Sequence, residues 1–419
     1  MKVNLAYGRG YLAVELPDDA TVLEPRHQPG LPDERAALLE ALERPIGARP
    51  LREWIAPGQT VCLLFTDLTR ATPNHRLIPW LLDYLSFVPP EHITLLNQTG
   101  THRPNTPAEL AQMLTPEVVA RYRVINHQCD NPAELVAVGT LHDGSPALLN
   151  RHAVQADVRI ATGFIEPHLF AGFSGGPKAL LPGVAGLQTV MTNHCASHIS
   201  HPNATFGILD GNPLWEEIRD VALRVRPTFL VNVALNTRRQ ITGVFAGDLI
   251  QAHRVGCDFV KRAAMHRCEA PFDIVVTTNS GYPLDLNLYQ GVKGMAAGVR
   301  ILKPGGTLIL ACECCEGVPP GSPCDQLLRS ARSPEHILEL LAQPGFVRPE
   351  QWQPQVQALV QRKAEVLLYS SMPDDVVRAV HLTPCHDIAA AVRERLARLG
   401  PGARVAVLPQ GPLNIPYLA

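Results

Sequence analysis

Four short segments concentrate side chains able to bind anions, move protons or ligate a metal. The first, Thr66-Asp67-Leu68-Thr69-Arg70-Ala71-Thr72-Pro73, follows the apolar run 61–65. The second, Gln98-Thr99-Gly100-Thr101-His102-Arg103-Pro104, follows the run 93–96. Open α/β sheets bind ligands in the crevice beyond the carboxyl ends of their strands, and both segments put a carboxylate, a guanidinium or an imidazole there. Taken singly, each reads equally well as a polar turn.

The third segment, residues 163–178, runs Gly163-Phe164-Ile165-Glu166-Pro167-His168-Leu169-Phe170-Ala171-Gly172-Phe173-Ser174-Gly175-Gly176-Pro177-Lys178. It joins a histidine, a glycine-rich loop and a lysine, and only six of the 37 basic residues in the chain are lysine. Glycines let backbone N–H groups approach an anion. A phosphate loop of the NTPase kind is excluded, because Pro177 removes a donor and Ala179 stands where the magnesium-binding hydroxyl belongs. The lysine therefore has another job. The fourth segment, Asn193-His194-Cys195-Ala196-Ser197-His198-Ile199-Ser200-His201-Pro202-Asn203-Ala204, is expected on a helix starting near Gly183 and the turn after it. His194 and His198, four apart, are then spaced to share one helical face. A zincin motif needs Glu after the first histidine, where this chain has Cys195.

Three other motifs carry less. Gly8-Arg9-Gly10-Tyr11-Leu12-Ala13 has the letters of a dinucleotide fingerprint, but an alternating, strand-like run follows it where a helix is required. Leu302-Lys303-Pro304-Gly305-Gly306-Thr307-Leu308 is read as a plain turn before a buried strand. Cys312-Glu313-Cys314-Cys315 lacks a Cys-x-x-Cys knuckle and is read as a strand end with incidental thiols.

The elements that must position these residues alternate. A hairpin is expected over residues 2–16, and strands over 61–65, 93–96, 158–161 and 229–233, with helices over 77–85, 107–113 and 249–265. A second series begins after residue 271: strands at 272–276, 307–312 and 405–408, and helices at 287–302, 334–341, 349–363 and 387–399. Strands alternating with helices give an α/β fold class, with mainly parallel sheets flanked by helices. The 419 residues exceed one ordinary core, so two domains are expected, 1–268 and 269–419, with an active site in the cleft between them.

Composition narrows the function. With 46% apolar and 18% charged residues the chain is neither disordered nor fibrous. A formal net charge of -2 and the lack of any basic block argue against nucleic acid and anionic membranes as partners. No run of about 18 apolar residues is present, and the N-terminus lacks a signal-like apolar stretch, so a cytoplasmic location is expected. The 10 scattered cysteines then read mostly as buried hydrophobes.

Together the four segments, with Gly211-Asn212-Pro213 and Tyr289-Gln290-Gly291-Val292-Lys293 further on, resemble the nickel-dependent lactate racemase family, in order from about Asp67 to Trp352. The stretch beyond about residue 370 has no specific match. The resemblance implies a racemase or epimerase acting at C2 of a 2-hydroxy acid. It implies a nickel-pincer nucleotide, a pyridinium-3-thioamide-5-thiocarboxylic acid mononucleotide holding Ni(II), covalently bound to Lys178. By the same resemblance His194 is the nickel ligand, and His102 and His168 are the acid–base pair. Asp67, Arg70, Gly175 and Gly176 fall in cofactor-binding segments, while Arg70, Tyr289, Gln290, Lys293 and Trp352 face the substrate. Implied partners are the 2-hydroxy acid and the sulfur- and nickel-insertion proteins of cofactor synthesis. Such chemistry suits these residue types: hydride loss from C2 leaves a stable ketone, and two neutral histidines can each handle the hydroxyl proton on one side. The alternative is a non-catalytic carrier or binding protein for the nickel nucleotide.

Overall fold

Runs of Val, Ile and Leu bounded by polar turns become fully buried strands, and the amphipathic stretches between them become covering helices. The computed structural model describes residues 1–343 and 345–418, and they fall into two α/β units. Among the described residues no helix is long and apolar enough to cross a membrane.

The first unit comprises His27–His194 and Gly207–Arg262. Its sheet has six strands in the order Ile241–Asp248, Thr228–Leu235, Val158–Phe164, Val61–Thr66, Ile93–Gln98 and Arg123–Asn126. All neighbours are parallel except the edge pair Thr228–Leu235 and Ile241–Asp248. Because Val158–Phe164, Val61–Thr66 and Ile93–Gln98 are adjacent and parallel, their carboxyl ends lie side by side at one edge of the sheet. Helices Asn74–Tyr84 and Pro107–Leu114 pack against this sheet through Leu77, Ile78, Leu81, Leu110 and Leu114. Thr106 and Glu109 start the second helix with a reciprocal capping box.

The second unit comprises Met1–Arg26, Cys195–Phe206 and Ala263–Ala419. Its six strands are all parallel: Thr383–Pro384, Glu365–Tyr369, Leu302–Ala311, Phe272–Thr278, Val405–Leu408 and Thr21–Val22. The short strand Thr21–Val22 pairs with Val405–Leu408, so the first 26 residues group with the C-terminal part of the chain. No local pattern announces that pairing, because it joins segments nearly four hundred residues apart. The expected hairpin is present as Lys2–Tyr7 paired with Gly10–Glu15, and Gly8, in the left-handed region, sits at its turn. Lys303-Pro304-Gly305-Gly306 lies inside the strand Leu302–Ala311 as an irregularity in register, rather than as a turn before it.

Candidate active site

Asp67 and His102 come from neighbouring strand ends and meet. The Nδ1–H of His102 donates to Oδ2 of Asp67 at 2.6 Å, and the Thr69 hydroxyl donates to Oδ1 at 2.8 Å. Arg70 stands 3.9 Å from the same carboxylate. Asp67 is 2% exposed. Burial alone would raise its pKa, but the hydrogen bond and charge of His102, then Arg70 and Thr69, outweigh it and hold the carboxyl below its usual range. Asp67 is therefore an anion at neutral pH, fixing the His102 proton on Nδ1 and leaving Nε2 a bare base.

His168 is prepared the opposite way. Its Nδ1 accepts from the backbone N–H groups of Ala171 at 3.2 Å and Phe170 at 3.5 Å, so the neutral ring carries its proton on Nε2. Phe170 stands edge-on to His168, with ring centroids 4.6 Å apart, and edge-on to His194 at 5.3 Å. One aromatic wedge thus spaces the two imidazoles. His194 is 4% exposed and caps the helix Leu187–Asn193. Asn193, just before it, donates to the Leu214 carbonyl at 3.1 Å and to Glu217 at 3.0 Å, which anchors that last turn.

The helix does not run on to His198. It ends at His194, Cys195 is extended, and a separate short helix, Ala196–Ser200, follows. The expectation that His194 and His198 share one helical face is therefore corrected: the extended backbone at Cys195 destroys the i, i+4 relation.

Lys178 lies half-buried on the 3₁₀ turn Gly176–Ala179. Its carbonyl accepts from Gly183 N–H at 3.0 Å, and the Gly183 carbonyl accepts from Gly100 N–H at 2.9 Å, tying the lysine loop to the His102 loop. Gly175 and Gly176 have φ of 74° and 56°, the left-handed region. A Cβ on Gly175 would overlap Asn232, and one on Gly176 would overlap the ring of His253. The Gly176 N–H donates to Asn232 Oδ1 at 2.7 Å, so this glycine's donor is engaged within the protein.

His253 makes a stability prediction. Its Nε2–H donates to the Ser174 carbonyl at 2.9 Å, and the ring is wholly buried. Burial lowers its pKa, Ser174 raises it, and the nearby Arg254 and Lys178 charges lower it further, leaving it at about 4. An unfolded histidine titrates near 6.5. Between those values the unfolded chain takes up a proton that the folded chain refuses. The contribution is thus fully present above about pH 6.5 and is lost as pH falls toward about 4, with a limit of about 3 kcal/mol. Urea midpoints at pH 7.5 and 4.5 should differ less in His253→Gln than in the wild type; equal differences would contradict the assignment.

In the other unit, helix Leu288–Gly298 is capped by Asn287 and carries Gly291, Gly294 and Gly298 toward the sheet. A Cβ on Gly294 would overlap the Thr278 carbonyl, so the glycines permit close helix–strand packing. Gln290 and Lys293 remain partly exposed on that helix. Trp352 donates its indole N–H to the Tyr289 hydroxyl at 3.0 Å, and Gln353 donates to the Tyr289 carbonyl at 2.6 Å. Tyr289 is therefore gripped at both ends, ahead of Gln290 and Lys293.

Asp67, Arg70 and His102 thus form one cluster, His168 and His194 share Phe170, and Tyr289 pairs with Trp352. Sequence reading missed Phe170, Asn232, His253 and Gln353 as parts of these arrangements. Asn232 left a signal, a lone amide inside the apolar run 229–233; His253 left none, since one histidine in an amphipathic helix is ordinary.

The chain as a whole has known relatives. Residues 7–207 match the lactate racemase N-terminal domain and residues 268–415 the lactate racemase C-terminal domain. The chain belongs to the lactate racemase family. It is 32% identical over 417 residues to a lactate racemase of Thermoanaerobacterium thermosaccharolyticum, covering 98% of this chain and 97% of that one. It is 35% identical over 382 residues to a lactate racemase of Lactiplantibacillus plantarum, covering 90% of each. The solved structure of the T. thermosaccharolyticum lactate racemase apoprotein superposes with a TM-score of 0.93 over 99% of this chain and 100% of that one. A Thermotoga maritima protein at 20% identity, covering 94% of this chain and 100% of that one, shares the fold with a TM-score of 0.70.

Proposed function

We propose that this chain is a racemase or epimerase that inverts C2 of a 2-hydroxy acid, lactate or a related acid, using a nickel-pincer nucleotide linked to Lys178. The observation that carries this reading is the pair of oppositely prepared histidines, His102 oriented by a buried carboxylate and His168 by backbone amides. A mere carrier of the nucleotide needs the lysine and a metal ligand, but no base oriented by a buried anion.

The residues fit such a group. His194 offers a buried imidazole, a good nickel donor, and Lys178 a primary amine on a rigid turn. Beyond the strand Val61–Thr66, in the loop and at the first residue of the helix Asn74–Tyr84, Thr72 Oγ1 and Asn74 Oδ1 are buried and find no hydrogen-bond partner among the described residues. Buried polar atoms of this kind ask for a polar ligand or water. When bound, the nucleotide supplies an electrophilic ring carbon able to take and return the C2 hydrogen as hydride.

The protein's own groups do the rest. The planar fork of Arg70 suits a substrate carboxylate, and Lys293 is a second cation that the family resemblance assigns to the substrate. The bare Nε2 of His102 takes the hydroxyl proton as the C2 hydrogen leaves, and Asp67 stabilises the imidazolium that results. His168 offers Nε2–H to the substrate oxygen. It becomes a base for the other enantiomer in its Nδ1–H tautomer, which gives up the contacts from Ala171 and Phe170. In either direction the imidazolium that forms returns its proton to the ketone oxygen as the C2 hydrogen comes back. Tyr289, Gln290, Lys293 and Trp352 are the further substrate-facing residues that the family resemblance assigns.

A panel of enantiopure 2-hydroxy acids of graded length, incubated with protein made alongside the cofactor pathway, tests this reading by chiral chromatography. Inversion of at least one acid is expected; inversion of none would overturn it. His194→Ala should lower bound nickel to a few per cent while the organic adduct stays on the protein. Full nickel retention would exclude His194 as the ligand.

A further inference from the structure

We propose that Asn232 and His253 are positioning residues that clamp the Ser174-Gly175-Gly176 turn and so present Lys178 for covalent loading. The proposal rests on the reading that Lys178 carries the group.

The clamp acts on both sides of one turn. Asn232 sits in the strand Thr228–Leu235 among fully buried apolar residues, where an amide is costly unless it is used. It is used: Oδ1 accepts the Gly176 N–H at 2.7 Å. From the helix Gln251–Ala264, His253 donates Nε2–H to the Ser174 carbonyl at 2.9 Å and lays its ring where a Gly176 side chain would be. The turn is also fastened to its own strand end, because the Ser174 hydroxyl donates to the Phe164 carbonyl and accepts from Glu166 N–H, both at 2.9 Å.

Lys178 follows two residues later, and its N–H donates to the Gly175 carbonyl at 3.2 Å. With the turn fixed at residues 174 and 176, few backbone torsions remain free before the lysine. Preorganising a nucleophile removes the entropy of finding the right orientation at the moment of reaction. Leucine and phenylalanine would fill the same two buried places, so packing alone does not call for an amide and an imidazole. What only the polar pair supplies is direction to the turn's N–H and C=O.

The test reads loading rather than turnover. Wild type, Asn232→Leu, Asn232→Asp, His253→Phe and His253→Gln are each made alongside the cofactor pathway and weighed intact, with thermal melts to confirm folding. Asn232→Leu and His253→Phe should fall at least tenfold in adduct fraction while melting cooperatively. Asn232→Asp keeps an acceptor oxygen and His253→Gln a donor of similar reach, so both should load near the wild-type level. If Leu or Phe prevents folding, Asn232→Ser and His253→Asn decide, since they stay polar but fall short of the turn. A graded acetylation of the unloaded proteins, with exposed Lys2 and Lys261 as internal standards, should show Lys178 changing its relative rate only in the variants that lose the clamp. Folded Leu and Phe variants that load fully would overturn the clamp. A wild-type chain carrying no adduct on Lys178 would overturn the underlying reading instead.

Discussion

Lys178→Ala should give a folded protein with no covalent adduct and no measurable inversion of any 2-hydroxy acid, a larger loss than any other single change proposed here. The fold is expected to survive because the turn is held through backbone groups of Ser174, Gly176 and Gly183, none of which needs the lysine side chain. Loading should not survive, because the amine is the only atom set in that side chain able to form the thioamide link. Lys178→Arg separates charge from nucleophile: the guanidinium keeps the positive charge but stays protonated, and so it should also remain unloaded. Intact mass of both variants, made alongside the cofactor pathway, checks this. An adduct of wild-type mass on Lys178→Ala would remove the lysine from the account.

The second large effect belongs to the histidine pair. His102→Ala and His168→Ala should each lower turnover by on the order of 10²-fold or more, the scale on which general acid–base groups act. Each should do so with either enantiomer as substrate, since every inversion passes both faces of the site. Loading and nickel content should stay near wild type in both variants, because the Lys178 turn is held by Asn232, His253 and Ser174. Asp67→Asn keeps the shape of the carboxylate but removes its charge, so the His102 proton is no longer held on Nδ1 and turnover should fall with His102 still present. A variant of either histidine that converts both enantiomers near the wild-type rate would make that histidine structural only.

Much of this arrangement was readable in the sequence because it depends on local pattern. Buried runs such as 61–65 and 93–96 have one stable use in an α/β chain, and polar residues just past them must then gather at one sheet edge. The lysine after Gly175-Gly176-Pro177 was legible because Pro177 and Ala179 exclude a phosphate loop of the NTPase kind. The helix break at Cys195 was not, since Asn193-His194-Cys195-Ala196 contains no proline or glycine to announce it. Nor could one boundary along the sequence show that Thr21–Val22 completes a sheet with Val405–Leu408, because that register depends on packing between distant segments. His253 illustrates the same limit at the site: its role exists only where its helix crosses the Ser174 carbonyl.

The central claim, inversion at C2 without exchange of the C2 hydrogen, has one direct measurement. Loaded protein is incubated in D2O with a single enantiomer of lactate, or of the best acid from the panel, and both enantiomers are isolated during the first turnovers. The C2 hydrogen should cross between faces without passing through His102 or His168, whose proposed part is the hydroxyl proton alone. The predicted result is a mixture approaching equal amounts of the two enantiomers, with little deuterium at C2 in either. Deuterium appearing at C2 in step with inversion would contradict the account, for it would mean a base removes C2–H as a proton and solvent returns it.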